Sequence, residues 1–201
     1  MRSVNLSVAY QLQKKCTRTQ NIRAYKVGAS NFRSAAFFGC DDILLGGIDS
    51  ERVFDGEVTR DYPVAELEVV TRIMLGKDDR QTFSVLEHYI GLECPDITVD
   101  NPEGSPFICV ADNCAAGDLI IYDRVQPDQL SEVTVCKHDR PFQSGSLANL
   151  RYDLTDILRM TVQLIDRFQL PHETNELLIA TGGITDVFSV DKGDRFEFVY
   201  R

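Results

Sequence analysis

Two glutamates separated by a single residue, Glu66 and Glu68, are the first candidates for chemistry in this sequence. They lie in the segment 62–74, whose Val and Ile content and alternating pattern predict a β-strand. Residues two apart on a strand project to the same face, about 6–7 Å from each other. Two carboxylates so placed repel each other, and a hard divalent cation between them relieves that repulsion. The alternative is an edge strand whose solvent face carries both acids while Ala65 and Leu67 point inward.

A third acid and an Asp-Asn pair follow further along the chain. Glu93 comes directly after the apolar segment 89–92, where an unpaired carboxylate is costly to bury. It is either a further metal ligand or a glutamate at the end of a helix that reaches solvent. Asp112 and Asn113 are followed by small residues, a pattern that allows close backbone approach and side-chain hydrogen bonding. An ordinary Asx turn explains this pair equally well.

The elements that must position these residues are short, and strands outnumber helices. Hydrophobic spacing predicts helices over about 4–15, 31–38, 80–92 and 154–168. Turns are expected at Gly39, at Gly46 and Gly47, and at Gly193-Asp194. The pattern favours an α+β domain spanning 1–201, with a short helical segment at about 1–24. Strands are predicted at 25–28, 62–74, 106–111, 118–122, 177–180 and 196–200, with a hairpin formed by 132–137 and 141–145 around His138-Asp139.

The charge balance excludes one class of partner. The chain has 31 acidic and 21 basic residues, a formal charge of −10, and no Lys/Arg cluster that could neutralise phosphates. Nucleic acid is therefore not an expected partner. An acidic protein that acts on an anionic metabolite must supply positive charge locally, from a metal ion or a buried lysine.

The six cysteines and the apolar segments indicate where the protein works. The cysteines form no CxxC pair, which excludes the common zinc motifs, and their scattered spacing favours reduced, mostly buried thiols. The N-terminus lacks the apolar core of a signal peptide, and no apolar stretch approaches the ~20 residues of a membrane span. A cytoplasmic protein without a membrane partner is expected.

Several motifs taken in order resemble one enzyme family. A Lys26 strand (Tyr25-Lys26-Val27-Gly28) precedes Glu66 and Glu68, then Glu93, then Ala111-Asp112-Asn113. This series is similar to the 2-oxopent-4-enoate (2-hydroxypentadienoate) hydratases, which are grouped with the 4-oxalocrotonate decarboxylases in the fumarylacetoacetate hydrolase superfamily. The likeness runs from about Val8 to the end of the chain. It continues more loosely through Gln143-Ser144-Gly145, the helix at 154–168, Ala180-Thr181-Gly182-Gly183 and Lys192-Gly193-Asp194.

The resemblance implies a fold, a cofactor and a reaction. The fold would be a mixed β-sheet roll, or distorted barrel, with flanking helices, and the cofactor Mg²⁺ or Mn²⁺. The substrate would be a small anionic 2-oxo or 2-hydroxydienoic acid, and the reaction the addition of water by a hydro-lyase. The alternatives are a metal-dependent decarboxylase or C–C hydrolase of the same superfamily. Carried over by position, the metal ligands would be Glu66, Glu68 and Glu93, the proton carrier Lys26, and the substrate-binding residues Ser144, Thr181 and Gly182.

Three departures from the family pattern support a further alternative, a non-catalytic partner subunit that keeps the fold. Leu44 stands where relatives carry an Asp, and the motifs expected at 149–153 and 175–177 are altered. The protein is expected to form a homo-oligomer or a complex with a related subunit. The His–Glu pair of the hydrolases has no clear counterpart, since the three histidines fall in a predicted helix (His88), a hairpin turn (His138) and a loop (His172).

Overall fold

The computed structural model describes residues 6–16, 21–77 and 81–200. The helices in this part of the chain are α1 (Leu6–Cys16), α2 (Phe32–Phe38), α3 (Pro106–Ala111) and α4 (Leu154–Phe168). The strands are β1 (Ile22–Gly28), β2 (Leu44–Asp49), β3 (Val53–Asp55), β4 (Tyr62–Leu75), β5 (Phe83–Cys94), β6 (Asp118–Val125), β7 (Val133–Lys137), β8 (Arg140–Gly145), β9 (Glu176–Gly183), β10 (Phe188–Val190) and β11 (Phe196–Tyr200).

The main sheet is mixed and strongly curled. Its strand order is β2-β1-β9-β4-β5-β6-β3, with β10 paired to the start of β4. The β1/β9 and β3/β6 pairs are parallel, and the other pairs are antiparallel. Lys26 on β1 and Glu93 on β5 form an ion pair of 2.7 Å, although three strand spacings would separate these strands by ~14 Å in a flat sheet. The sheet is therefore a half-barrel whose concave face brings β1 close to β5.

A second sheet and the helices complete the fold. Strands β7, β8 and β11 form a three-stranded sheet in the order β11-β7-β8. Asp153 caps the start of helix α4, because its side chain accepts a hydrogen bond from the Asp156 N–H at 2.7 Å. The buried side of the helix includes Ile157 and Val162. Each fully buried aliphatic side chain of this kind contributes about 1.5–3 kcal/mol. The α+β class and the mixed sheet with flanking helices are confirmed.

The segment predicted as a helix at 80–92 is instead strand β5. The three- and four-residue spacing of its apolar residues suggested a helix, but β5 pairs with β4 from Glu66↔Glu93 to Leu75↔Phe83. At its outer end Val85 and Leu86 are 44% and 38% exposed, so the apolar spacing there does not mark a buried face. His88 therefore lies on a strand, where its ring nitrogen Nδ1 hydrogen-bonds the Thr71 hydroxyl at 2.9 Å.

The segment predicted as a strand at 106–111 is instead helix α3. Ser105 caps this helix through its hydroxyl, which accepts from the Ile108 N–H, and Pro106 occupies the first turn. A capping serine followed by proline is a helix-start signal that outweighs the apolar run after it.

Gly46 and Gly47 were predicted to turn but lie inside strand β2. A Cβ on Gly46 would lie 2.0 Å from the Asn113 carbonyl oxygen, so this glycine permits close approach of a second backbone segment rather than a turn.

The remaining predictions agree with the structure, allowing for shifts at element ends. The helices at 31–38 and 154–168, the long strand at 62–74 and the hairpin around His138-Asp139 are confirmed. The first helix is confirmed over 6–15, and its predicted start at Val4 lies outside the described residues. Cys40, Cys94, Cys109, Cys114 and Cys136 are free thiols, and Cys94 and Cys114 among them are buried. None of the described helices has the length and apolar character needed to cross a membrane.

Candidate functional site

Strand register brings the three predicted glutamates onto one face of the main sheet. Glu66 on β4 stands directly opposite Glu93 on β5, and Glu68 lies two residues beyond Glu66 on the same face. Glu68 and Glu93 are 1% and 0% exposed. Strand β4 lies between β9 and β5, so the alternative of an edge strand with a solvent face is wrong.

Lys26 reaches this cluster from across the curl of the sheet. Its Nζ donates to Glu93 Oε2 at 2.7 Å, and its side chain is 13% exposed. Burial lowers the pKa of Lys26, but the neighbouring Glu93 carboxylate, with Glu68 and Glu66 behind it, raises the pKa by more. The net shift is upward, and Lys26 is therefore a stable cation at neutral pH.

Glu93 is only partly satisfied by that contact. Burial raises the pKa of Glu93. The Lys26 ammonium lowers this pKa by less, and the Gly117 N–H also lowers it. Its second oxygen, Oε1, is buried and makes no hydrogen bond within the described residues. A buried carboxylate oxygen without a donor is costly, and a cation is the ligand that would remove that cost.

Glu68 is held by backbone. Its Oε2 accepts from the Gly182 N–H at 2.8 Å. Gly182 has a φ of +112, a backbone conformation that residues other than glycine rarely adopt. A Cβ at this position would lie 1.8 Å from Ser30 Oγ. Burial, followed by the Glu93 and Glu66 charges, raises the pKa of Glu68 well above its ordinary value.

Glu66 is the most accessible of the three and has a partner that sequence reasoning missed. Arg33 on α2 donates to Glu66 Oε1 at 2.6 Å and to Asp186 Oδ1 at 2.6 Å. The Arg33 side chain is 44% exposed and that of Glu66 19%, so this ion pair is screened and weak. The only sequence signal for Arg33 is its place in the helix that follows the Lys26 strand.

The donor set fits a hard divalent cation, although the carboxylates do not converge in this conformation. Three carboxylates on one face, with an unpartnered oxygen on Glu93, are the chemistry that Mg²⁺, Mn²⁺ or Ca²⁺ prefers. Across the described ranges, however, no three His, Cys, Asp or Glu side chains surround a common point. Each glutamate has turned one oxygen to another donor: Arg33 for Glu66, the Gly182 N–H for Glu68 and Lys26 for Glu93.

A cavity of about 360 Å³ opens above this cluster. Lys26, Glu66 and Glu68 lie among the residues that line it, and because Lys26 and Glu68 are nearly buried they form its floor. Its walls are contributed by helix α2, the loop 95–105, helix α3 and the turn Asn113–Ala115. This volume lies within the range of small-molecule sites.

The predicted substrate-binding residues have different positions relative to this cavity. Gly182 belongs to the floor through its N–H bond to Glu68. Thr181 is fully buried, and its hydroxyl donates to the Val69 carbonyl at 2.9 Å. Ser144 is exposed on β8, in the second sheet, where it pairs with Thr134, and it does not line the cavity.

The Asp112-Asn113 pair fixes the cavity wall. Asp112 Oδ2 accepts from the Val99 N–H at 3.2 Å, and its other oxygen binds the Thr98 hydroxyl. Asn113 donates to the Gly47 carbonyl and accepts from the Gly47 N–H, both at 2.8 Å. The close backbone approach expected from these residue types is therefore present.

Comparison with known proteins shows a fold relationship. Neither protein-family models nor curated protein sequences give a match. The 4-oxalocrotonate decarboxylase from Pseudomonas putida G7 is similar in structure, at 18% identity. Its complex with magnesium and adipate gives a TM-score of 0.76, covering 98% of this chain and 83% of that one. Its complex with calcium and acetate gives 0.74, covering 98% and 82%.

A more distant structure extends the same relationship. A protein assigned to the fumarylacetoacetate hydrolase family from Yersinia pestis CO92 gives a TM-score of 0.55 at 10% identity, covering 90% of this chain and 89% of that one. The resemblance read from the motifs is thus confirmed at the level of the fold. This chain has the fumarylacetoacetate hydrolase-like α+β fold, with its carboxylate cluster on the concave face of the sheet.

Proposed function

We propose that this protein is a divalent-metal-dependent enzyme of the fumarylacetoacetate hydrolase superfamily that adds water to a 2-hydroxydienoic or 2-oxo-enoic acid. The observation that carries the proposal is the cluster of Glu66, Glu68 and Glu93 with Lys26 at the floor of a small-molecule cavity. The complexes of the decarboxylase of similar fold with magnesium or calcium and a small carboxylic acid support both the cation and the substrate class.

The proposed ligands of the cation are the three glutamates. Mg²⁺ or Mn²⁺ bound there would supply Lewis-acid polarisation of the 2-oxo group of the substrate. Arg33 holds only Oε1 of Glu66, and the exposure of Arg33 makes release of that oxygen inexpensive. Gly182 holds Glu68 in place through its N–H. Its positive φ and the close approach of Ser30 Oγ require glycine at that position.

Lys26 is the proposed residue for charge and proton handling. Three carboxylates around one divalent cation leave a net negative site, so an anionic substrate needs the Lys26 ammonium nearby. Water addition places a hydroxyl on one carbon of the conjugated double bond and a proton on another. Lys26, a cation at neutral pH, would donate that proton, and the proton released by the attacking water would return to the Lys26 amine. Proton transfer of this kind contributes typically ~10²–10⁴-fold in rate.

A direct assay tests this proposal. The purified protein is incubated with a series of 2-hydroxydienoates and Mg²⁺ or Mn²⁺, and loss of the conjugated absorbance is followed. Metal-dependent loss without CO₂ release is expected, and Glu66→Ala should remove both the loss and calorimetric Mn²⁺ binding. Unchanged Mn²⁺ affinity in Glu66→Ala would place the metal elsewhere, and no metal-dependent loss with any substrate would contradict a hydratase.

A metal-dependent decarboxylase is the second candidate, favoured by the similarity to the two 4-oxalocrotonate decarboxylase complexes. The same assay separates the two reactions, because decarboxylation releases one CO₂ for each substrate consumed.

A non-catalytic partner subunit is the third candidate. It is favoured by Leu44 in place of the family's Asp and by carboxylate oxygens that are turned to Lys26, Arg33 and Gly182 rather than to a common point. Calorimetry with Mn²⁺ distinguishes it, since a subunit without chemistry has no need of a tight metal site.

A further inference from the structure

The cavity has a charged floor and apolar upper walls. Phe37, Ile97 and Val99 line the cavity and are 53%, 66% and 46% exposed, whereas Glu68 on its floor is 1% exposed. Large apolar side chains exposed around the mouth of a pocket favour an apolar ligand surface against them. The part of a ligand that lies far from Lys26 therefore meets these apolar side chains, together with the uncharged Ser34 and Asn101 and the acids of the walls.

Positive charge in the cavity lining is confined to the floor, and Arg33, which pairs with Glu66 and Asp186, lies outside that lining. Among the described residues that line it, Lys26 is the only Lys or Arg. The walls also contain two carboxylates, Asp100 and Asp112. Asp112 is already committed to Thr98 and to the Val99 N–H.

A second carboxylate on the substrate would be poorly accommodated in this cavity. It would leave water for a wall that offers large apolar side chains and two acids but no Lys or Arg. A methyl or alkyl end at the same position would instead bury its surface against Ile97, Val99 and Phe37.

We propose that the substrate is a monocarboxylic 2-oxo or 2-hydroxydienoic acid with an apolar chain beyond the reacting carbons, and that Phe37, Ile97 and Val99 select it over dicarboxylic acids. This inference rests on the proposed function, because it takes the floor as the place where the 2-oxo acid head group binds. It adds the chemistry of the far end of the molecule.

Two six-carbon acids that differ only at that end provide the test. In the presence of Mg²⁺, calorimetry compares 2-oxohexanoate with 2-oxoadipate, and pyruvate serves as the head group alone. 2-Oxohexanoate should bind roughly tenfold or more tightly than either of the others, since one missing apolar group already costs about that factor. Equal or tighter binding of 2-oxoadipate overturns the selectivity while leaving the proposed function standing. If none of the three acids binds, the proposed function fails and this inference with it.

Charge placed on the wall sharpens the test. Ile97 is well exposed, so Ile97→Lys should fold normally. This variant should bind 2-oxohexanoate more weakly than the wild type does, and it should bind 2-oxoadipate as tightly as 2-oxohexanoate or more tightly. Ile97→Gln should weaken the binding of 2-oxohexanoate without strengthening the binding of 2-oxoadipate. Val199→Lys adds the same charge on β11, at a position that is 48% exposed and outside the cavity, and should preserve the wild-type preference. An unchanged preference in Ile97→Lys would show that the far end of the substrate lies elsewhere.

Discussion

Two buried acidic sites in this molecule have opposite charge balances. Asp118, at the start of β6, is 1% exposed and has three donors: Arg52 Nε at 2.7 Å, Arg60, and the Tyr62 hydroxyl at 2.8 Å. The concave-face cluster holds three glutamates against Lys26 within and Arg33 at its rim. At the first site two guanidinium groups and a hydroxyl satisfy one buried carboxylate and tie β6 to neighbouring segments, and Arg52 also pairs with Asp96. The other lacks positive charge, as a site for a cation should.

Removal of Lys26 should have the largest effect. Lys26→Met is expected to lower the rate of substrate turnover by ~10²–10⁴-fold, because the substrate loses its counter-charge and proposed proton donor. The matched control is Lys137→Met, since Lys137 is also a mostly buried lysine paired to an acid, Asp194, at 2.6 Å, but it lies outside the cavity. Steady-state kinetics on both variants checks this, and equal losses would remove the distinction between the two sites.

Asp118→Asn should act on stability instead. The variant keeps the size of the side chain but loses the charge that Arg52 and Arg60 face, and because these arginines are 30% and 59% exposed the expected cost is about 2 kcal/mol. Thermal unfolding should shift down by ~4–8 °C, with activity retained below the transition. A more stable variant would contradict the structural role given to Asp118.

Glu68→Gln should have the smallest effect on stability and the opposite sign. A carboxyl whose pKa is higher in the folded protein than in the unfolded chain keeps an extra proton when folded. The free energy of unfolding therefore falls as pH rises above the unfolded value of about 4.3. Without metal, the variant should unfold ~2–4 °C higher than wild type at pH 7, about 1 kcal/mol, and the difference should shrink towards pH 4.

Excess Mn²⁺ provides the counterpart of that experiment. It should raise the unfolding temperature of the wild type more than that of Glu68→Gln, because the variant has lost a proposed ligand. A pH-independent difference between the metal-free proteins would mean that the raised pKa of Glu68 does not govern their stability.

Local sequence signals predicted those parts of the fold whose structure is decided locally. Helix α4 has an N-cap at Asp153 and a strong apolar stripe, and β4 has the alternating Val and Ile of a strand, so both were found. Strand β5 was missed because its ten paired residues are fixed by β4, a partner that no local pattern describes. Helix α3 was missed for a different reason. Its start signal, Ser105-Pro106, is local, but the apolar run after it was interpreted as a strand.

The residues of the candidate site could be predicted from the sequence, but the contacts between them could not. The motif order supplied Glu66, Glu68, Glu93 and Lys26. The structure places Lys26, Glu66 and Glu68 in the cavity lining, with Glu93 buried beside them. The direct pairing of Glu66 with Glu93 depends on strand register, and the contact of Arg33 with Glu66 depends on how α2 packs. The apolar walls come from a loop and a helix whose positions no local pattern specifies.

The Asn113 side chain also closes one open end of the main sheet. Strand β2 is the terminal strand, and Asn113 occupies both backbone hydrogen-bonding groups of Gly47 much as a neighbouring strand would. A foreign strand therefore cannot pair with β2 at Gly47, which disfavours edge-to-edge association at this position. Because Cys114 and Ala115, the next two residues, line the cavity, a bulkier residue at Gly46 would disturb the edge of the sheet and the cavity together.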